Sequence, residues 1–303
     1  MLRPYLPVIF AVLAWHHGIA QTTAAADTTQ EEKRWEELAA DVDSFAYSAA
    51  FVDSVRSVHN VPVPSPLREL AREPFSVPET LVYKIGWGPF NAGYVVITTL
   101  YDPATGTVRI GGKALSNAVV GAFYRMRDYV ISTVDQRGLY PLFFEQHLRE
   151  GKRYKANEFF IFDHAAGKVL VQKRDKSEIK ETPPYTQDYM SMLYLIRSHH
   201  ALAPGDTFSE RLFINAKFHS MFFSVKSSNS REVEAGSFPC VLLVPQLVGD
   251  GRAFNKKDKL EIWMSDDPRR LPVAIKSKIK FGSIYARLIW YNANQCSAGV
   301  PKG

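Results

Sequence analysis

Three polar side chains stand two residues apart at Glu145, His147 and Arg149. In an extended strand that spacing turns all three to one face, with Phe144, Gln146 and Leu148 on the other. A face of this kind lining a cavity would offer His147 as a general base and Arg149 as an anion clamp. Tyr154, just beyond, would extend the set toward polysaccharide cleavage. The plainer reading is a strand with one solvated face, as most antiparallel sheets have. A second set, Asp188, Ser191, Tyr194 and Arg197, steps by three and shares one surface of a helix. It could hold a polar ligand, or tie the helix to a sheet by hydrogen bonds and an ion pair. Asp266 and Asp267 are adjacent carboxylates ahead of Pro268, a pattern for making a turn rather than an acid–base pair. Cys240 and Cys296 are the two cysteines and could form one bridge in an oxidising compartment. With no Cys-x-x-Cys and no His beside either, they suggest neither redox catalysis nor a metal site. No phosphate-binding glycine loop, Gly-x-Ser-x-Gly or His-Glu-x-x-His occurs, so no cofactor is expected.

These residues need elements to position them. The chain has 303 residues, 46% hydrophobic, 22% charged and 13% aromatic, with 37 Lys and Arg against 31 Asp and Glu. Such a composition excludes wholesale disorder and a multi-span membrane protein. A net charge of +6, spread along the chain, suggests no nucleic-acid partner. Residues 1–20 start with Met-Leu-Arg, run through an apolar stretch Tyr5–Trp15 and reach small residues at Gly18 and Ala20. That is the pattern of a secretory signal cut after Ala20. The apolar run falls short of the roughly 20 residues a spanning helix needs. The mature chain is therefore expected to be exported, without a transmembrane span, to the periplasm or an outer-membrane-associated position.

A polar lead and an amphipathic helix occupy 21–60. From Glu31 to Val58, the residues Trp35, Leu38, Val42, Phe45, Ala49, Val52 and Val55 recur every three or four positions. That stripe could pack on the following domain or meet a protein partner. A proline-rich connection spans 61–78. From Glu79 the period becomes two and persists, with turn residues at intervals, through about a dozen strands to residue 292. A tail of 293–303 ends the chain. So many short strands predict a curled antiparallel sheet or barrel-like sandwich, lipocalin-like in outline, around an apolar interior. One helix near 186–199 interrupts them, with Thr186 expected as its N-cap and Asp188 in its first turn. A mostly apolar helix in that place is expected to plug or cover one opening of the barrel. The aromatic strands around Phe143–Phe162 and Phe208–Phe223 suit a cavity for lipid, glycan or another envelope component. A polysaccharide-acting enzyme and a non-catalytic envelope assembly factor are the alternatives.

Several of these patches occur together in one known family. Glu79-x-Leu81-x-Tyr83, Trp87-Gly88 and Ala92-Gly93 resemble the opening of the exported bacterial family called domain of unknown function 3108 (DUF3108). Asp128, Asp135 and Pro141, then Asp188-x-x-Ser191-x-x-Tyr194-x-x-Arg197 with Gly205, resemble its middle. Trp263-x-Ser-Asp-Asp-x-x-Arg270-Leu-Pro272-Val, followed by Gly282, resembles its end. The resemblance covers about residues 79–290 and implies an exported, β-rich, barrel-like domain of Gram-negative bacteria. It implies no established reaction.

Overall fold

The computed structural model describes residues 68–292 apart from positions 71, 73, 76, 89, 153, 174–175, 200–201, 249–259 and 280–281. The expected signal, polar lead, amphipathic helix, most of the proline-rich connection and the tail lie outside the described residues, as does Cys296.

Fourteen strands form one sheet. Eight come first: β1 (Glu79–Trp87), β2 (Phe90–Asp102), β3 (Thr107–Ser116), β4 (Arg127–Asp135), β5 (Pro141–Glu150), β6 (Tyr154–Asp163), β7 (Lys168–Lys173) and β8 (Lys176–Glu181). Six follow: β9 (Thr207–Ile214), β10 (Lys217–Val233), β11 (Gly236–Val248), β12 (Leu260–Ser265), β13 (Pro272–Ile279) and β14 (Gly282–Tyr291). A short helix α1 (Ala118–Phe123) joins β3 to β4, and helix α2 (Tyr189–Ser198) lies between β8 and β9. Every strand pair is antiparallel. The order runs β8 back to β1, then β14 back to β9, so the first and last strands are neighbours in mid-sheet. The sandwich alternative is thus corrected to one continuous sheet, because consecutive strands pair from β1 to β8 and from β9 to β14, and β1 pairs with β14.

The sheet curls without closing. Phe160 of β6 meets Phe213 of β9 edge-on at 5.5 Å, although these strands stand near opposite ends of the strand order. The alternation read from the sequence holds at β1, where Leu81, Tyr83 and Ile85 join the main core. Helix α2 fills the middle of the curl, and residues 190–198 are all buried. It packs against β3, β4 and β9. Its N-cap is Asp188, whose carboxylate accepts from the backbone N–H groups of Met190 and Ser191 at 2.7 and 2.9 Å. Thr186, the expected cap, instead donates its hydroxyl to the Pro183 carbonyl at 2.6 Å. The helix therefore starts two residues later than expected. A carboxylate satisfies two of the free N–H groups of the first turn, where a hydroxyl would serve one.

The two free edges are β8 and β9. β8 reads Lys-Ser-Glu-Ile-Lys-Glu and is mostly exposed, its charges discouraging edge-to-edge pairing. The link 182–188 crosses from one edge to the other. Thr182 N–H donates to Gly167 O at 2.9 Å. At the far end Gln187 N–H donates to Arg211 O at 2.8 Å, and Phe213 N–H donates to Gln187 O at 2.7 Å. Beneath this strap His164 is buried and neutral, its imidazole held down to about 4 first by burial. Its Nδ1 accepts from Tyr185 N–H at 3.1 Å, so Nε2 is the donor to Pro141 O at 2.7 Å.

Gly93 shows how tightly the hairpins approach. A Cβ there would sit 2.0 Å from Leu115 O and 2.9 Å from Ser116 Cα, both backbone atoms of β3. Gly93→Ala is expected to cost about 3 kcal/mol, since backbone cannot step aside as a side chain can. Gly106→Ala, at a turn with φ +64° and open space around the new methyl, is expected to cost about 1–2 kcal/mol. Urea midpoints of the two variants check this; equal losses would contradict the assigned contact.

Candidate functional site

The segments that carried the family resemblance come from three distant parts of the sequence and meet at one point. Glu79 opens β1 and is buried with Arg197 of α2. The guanidinium donates twice to the carboxylate, Nη1 to Oε2 and Nη2 to Oε1, both at 2.7 Å. Tyr194 donates its hydroxyl to Glu79 Oε2 at 2.8 Å. Arg197 also donates from Nε and Nη2 to the Arg269 carbonyl, at 3.2 and 3.1 Å. Asp267 shapes the turn that presents this carbonyl, accepting from Ser265 Oγ at 3.0 Å and from Arg269 N–H at 2.9 Å. Arg269 Nη2 closes the same turn on Asp267 Oδ2 at 2.6 Å. The turn role expected of the Asp pair is thus carried by Asp267. Tyr83 donates to Pro272 O at 2.8 Å and completes the cluster. Burial opposes the charge of Arg197, but Glu79 outweighs it and holds the guanidinium above its ordinary pKa. At the other end of α2, Ser132 of β4 donates to Asp188 Oδ2 at 2.6 Å, and Ser191 Oγ donates to Asp188 O at 3.1 Å. Asp188, Ser191, Tyr194 and Arg197 therefore divide into one pair at each end of α2, and their polar groups face protein partners.

The trio His147, Arg149 and Tyr154 is divided by the sheet. Phe144 joins the main core while Phe143 joins a separate cluster, so the inner face of β5 is the even-numbered one. Glu145, His147 and Arg149 point outward, and the same alternation in β6 turns Tyr154 to the opposite face. His147 is buried on that outer face, with Nε2 3.2 Å from Glu145 Oε2 and Nδ1 3.1 Å from Asn157 Oδ1. Arg149 Nη2 donates to the same Asn157 oxygen at 2.7 Å. Both ring nitrogens of His147 are engaged by side chains, an arrangement that fixes the ring in place. Cys240 is a buried free thiol pushed up to about 11 chiefly by burial, a weak nucleophile at neutral pH.

A different polar patch lies on the inner face. Asp128 of β4, Gln146 of β5 and Glu158 of β6 point inward beside Tyr189, the first residue of α2. Gln146 Nε2 donates to Glu158 Oε2 at 3.0 Å, and Lys173 of β7 reaches the same oxygen at 3.0 Å. The Tyr189 ring stands edge-on to Phe144 at 5.2 Å. Among the described residues, Asp128 Oδ2, Gln146 Oε1 and the Tyr189 hydroxyl are buried without a hydrogen-bond partner. Burial pushes the Asp128 carboxyl up to about 7, against the pull of Arg149 N–H, which donates to its other oxygen at 2.9 Å. Burial, then the carboxylates of Asp188, Asp128 and Glu158, hold the Tyr189 phenol well above its ordinary value. Tyr189 is therefore a donor, and Gln146 Oε1 an acceptor. Asp128 is able to act as either near neutral pH. The patch reaches solvent at Glu158 and Lys173, which keep 16% and 36% side-chain exposure. The sequence does not announce it, because its members come one from each of four different elements. The one signal was Gln146 and Glu158, polar residues on the apolar side of an alternating strand.

One comparison with solved structures agrees with this architecture. No curated protein matches the chain. A solved structure of a β-barrel-like protein of domain of unknown function DUF1849 from Brucella abortus is similar at 9% identity. It has a TM-score of 0.53 and covers 76% of this chain and 100% of that one. A protein described as a putative exported protein with YmcC-like fold, from Bacteroides fragilis, aligns at 11% identity and TM-score 0.28. That alignment covers 75% of this chain and 99% of the other. The first of these supports a barrel-like fold. Among the described residues no helix is long and apolar enough to cross a membrane. A family model described as protein of unknown function (DUF3108) matches residues 82–289, well over half the sequence, and the chain belongs to that family.

Proposed function

We propose that this protein is exported and works by binding, its curled sheet receiving a hydroxyl-rich part of an envelope component such as a glycan or glycolipid. Export rests on the signal-like residues 1–20, with cleavage after Ala20 and a periplasmic or outer-membrane-associated destination. The observation that carries the binding proposal is the inner patch. Its three buried polar atoms lack protein partners and sit together, whereas the other such atoms among the described residues, Gln187 Oε1, Arg231 Nε and Trp263 Nε1, are on the 182–188 link, β10 and β12. A buried polar group left unpaired costs about 1–3 kcal/mol, so atoms of this kind call for water or ligand. Sugar hydroxyls both donate and accept, which matches a phenol donor, an amide acceptor and a carboxyl able to do either. Phe144 and Tyr189 supply aromatic surface beside them.

Native mass spectrometry of the mature protein, purified from its own host, tests the reading. A carried mass that disappears in a Gln146→Leu/Tyr189→Phe double variant is expected. In solution the same variant is expected to bind envelope glycan fragments at least tenfold more weakly, followed by calorimetry. A host-purified protein with no added mass, together with no binding to fragments of the envelope polysaccharides, would remove the proposal. The polysaccharide-acting alternative has less support, because His147 is buried with both ring nitrogens held and Tyr154 lies on the other face.

A further inference from the structure

The outer face of β3–β6 is buried, although α2, the element that packs the inside of the curl, lies on the opposite face. Phe143 is 1% exposed, Phe159 7%, Tyr129 4%, Lys113 2%, Glu145 2% and His147 8%, all turned away from the main core. Phe143 and Phe159 form a cluster of their own with Ile161 and Leu170. Neighbours within one open sheet face leave the tops of such side chains wet, so burial this deep requires something laid across the strands. Helix α1 packs on β2 and β3 and sits in the β3–β4 connection.

We propose that this outer face is the docking site of the chain's own segment Glu31–Val58, which lies outside the described residues. Three observations select it over other occupants. The first is where the described chain begins. Arg68 donates from Nε and Nη2 to the Gly138 carbonyl at 2.9 and 2.8 Å, and it also bonds Leu139 O. That is the turn joining β4 to β5, the two central strands of the face. The sequence preceding Arg68 thus arrives at the edge of the patch. The ten residues from Val58 to Arg68 span at most about 33 Å, the length of β5 itself. The second is shape of sequence. The apolar stripe Trp35, Leu38, Val42, Phe45, Ala49 and Val52 is the right partner for Phe143, Phe159 and Ile161. The third is charge. The face buries a cation, Lys113, whose ammonium stands 5.3 Å over the Tyr129 ring. The segment carries Glu36, Glu37, Asp41 and Asp43, an acidic run complementary in sign to that cation. The segment so placed is an integral strap of the domain rather than a free arm.

Hydrogen exchange by mass spectrometry on the mature full chain tests this, comparing wild type with a Leu38→Asp/Val42→Asp/Phe45→Asp variant. Those substitutions lie outside the fourteen strands, and a cooperative thermal melt of the variant checks that the barrel still folds. In wild type the amides of 31–58 are expected to exchange at least tenfold more slowly than unstructured chain, and the variant is expected to lose that protection. Peptides covering Phe143–His147 and Asn157–Ile161 should become faster in the same variant. A Phe159→Ser variant should release the segment from the other side of the contact. Wild-type exchange of 31–58 at unprotected rates would overturn the proposal, as would protection that survives the triple substitution. Protection that vanishes on dilution, with a matching dimer in sedimentation, would assign the face to a second copy and equally overturn it.

Discussion

Replacing Arg197 by Met is expected to destabilise the domain by about 3–5 kcal/mol, the range for removing one partner of a buried ion pair. Glu79 is the reason. Its side chain is fully buried and takes its two shortest hydrogen bonds from the lost guanidinium. Tyr194 alone would remain to it on α2. In a domain of this size such a loss lowers Tm by about 6–20 °C. The double variant Glu79→Gln/Arg197→Met removes the stranded charge as well, and is expected to be more stable than Arg197→Met alone. Thermal melts of the two single variants and the double one check this as a cycle. Strictly additive losses would mean that the pair does not hold β1 to α2 in the way the geometry indicates.

Asp128→Asn is expected to stabilise the protein at pH 8 and to leave it almost unchanged at pH 4. In the fold the carboxyl titrates at about 7 because it is buried, against an ordinary value of 3.8. The folded state therefore favours the protonated form. Its contribution is fully present below about pH 4, is lost as pH rises toward 7, and stays lost above. The displacement corresponds to about 4 kcal/mol. Asp188, raised to about 6 chiefly by burial, acts in the same direction. His164, lowered to about 4, acts oppositely, because protonating it below its unfolded value favours unfolding. The difference between variant and wild type isolates Asp128 from both. Urea titrations at pH 4, 6 and 8 measure it, and a difference that is constant across the three would refute the assignment. Because Asn keeps the shape and an acceptor oxygen, the variant also separates the stability effect of the carboxyl from its part in binding.

The strands were largely legible, and the reasons are physical. Tyr154–Asp163, Lys168–Lys173 and Leu260–Ser265 have the bounds that alternation and turn residues indicate. β8 was not legible, because an edge strand reading Lys-Ser-Glu-Ile-Lys-Glu buries almost nothing and so carries no apolar rhythm. β10 extends to Val233, well past the aromatic stretch that announced it, since its second half Ser227–Val233 is held by backbone pairing with β11 rather than by burial. The short helix α1, capped by Asn117 with a 2.8 Å bond to Val120 N–H, is too brief to show a period. The polar stripe of α2 was legible as a unit, but its partners were not. Glu79, Ser132 and the Arg269 carbonyl lie 56 to 118 residues away from the groups they meet, and no spacing rule encodes such distances. The inner patch is harder still, since Asp128, Gln146, Glu158 and Tyr189 become neighbours only once the sheet has curled around α2.

Leu81 pairs with Tyr291 across the middle of the sheet, and this sets an order of assembly. β1–β8 and β9–β14 are each runs of adjacent hairpins that form from nearby residues. The junction between these two halves needs both ends of the domain at once, closing a loop of more than two hundred residues late and slowly. Synthesis that stops short of β14 therefore leaves the two half-sheets tied only through the 182–188 link and α2, each with a raw flank where the mid-sheet seam belongs.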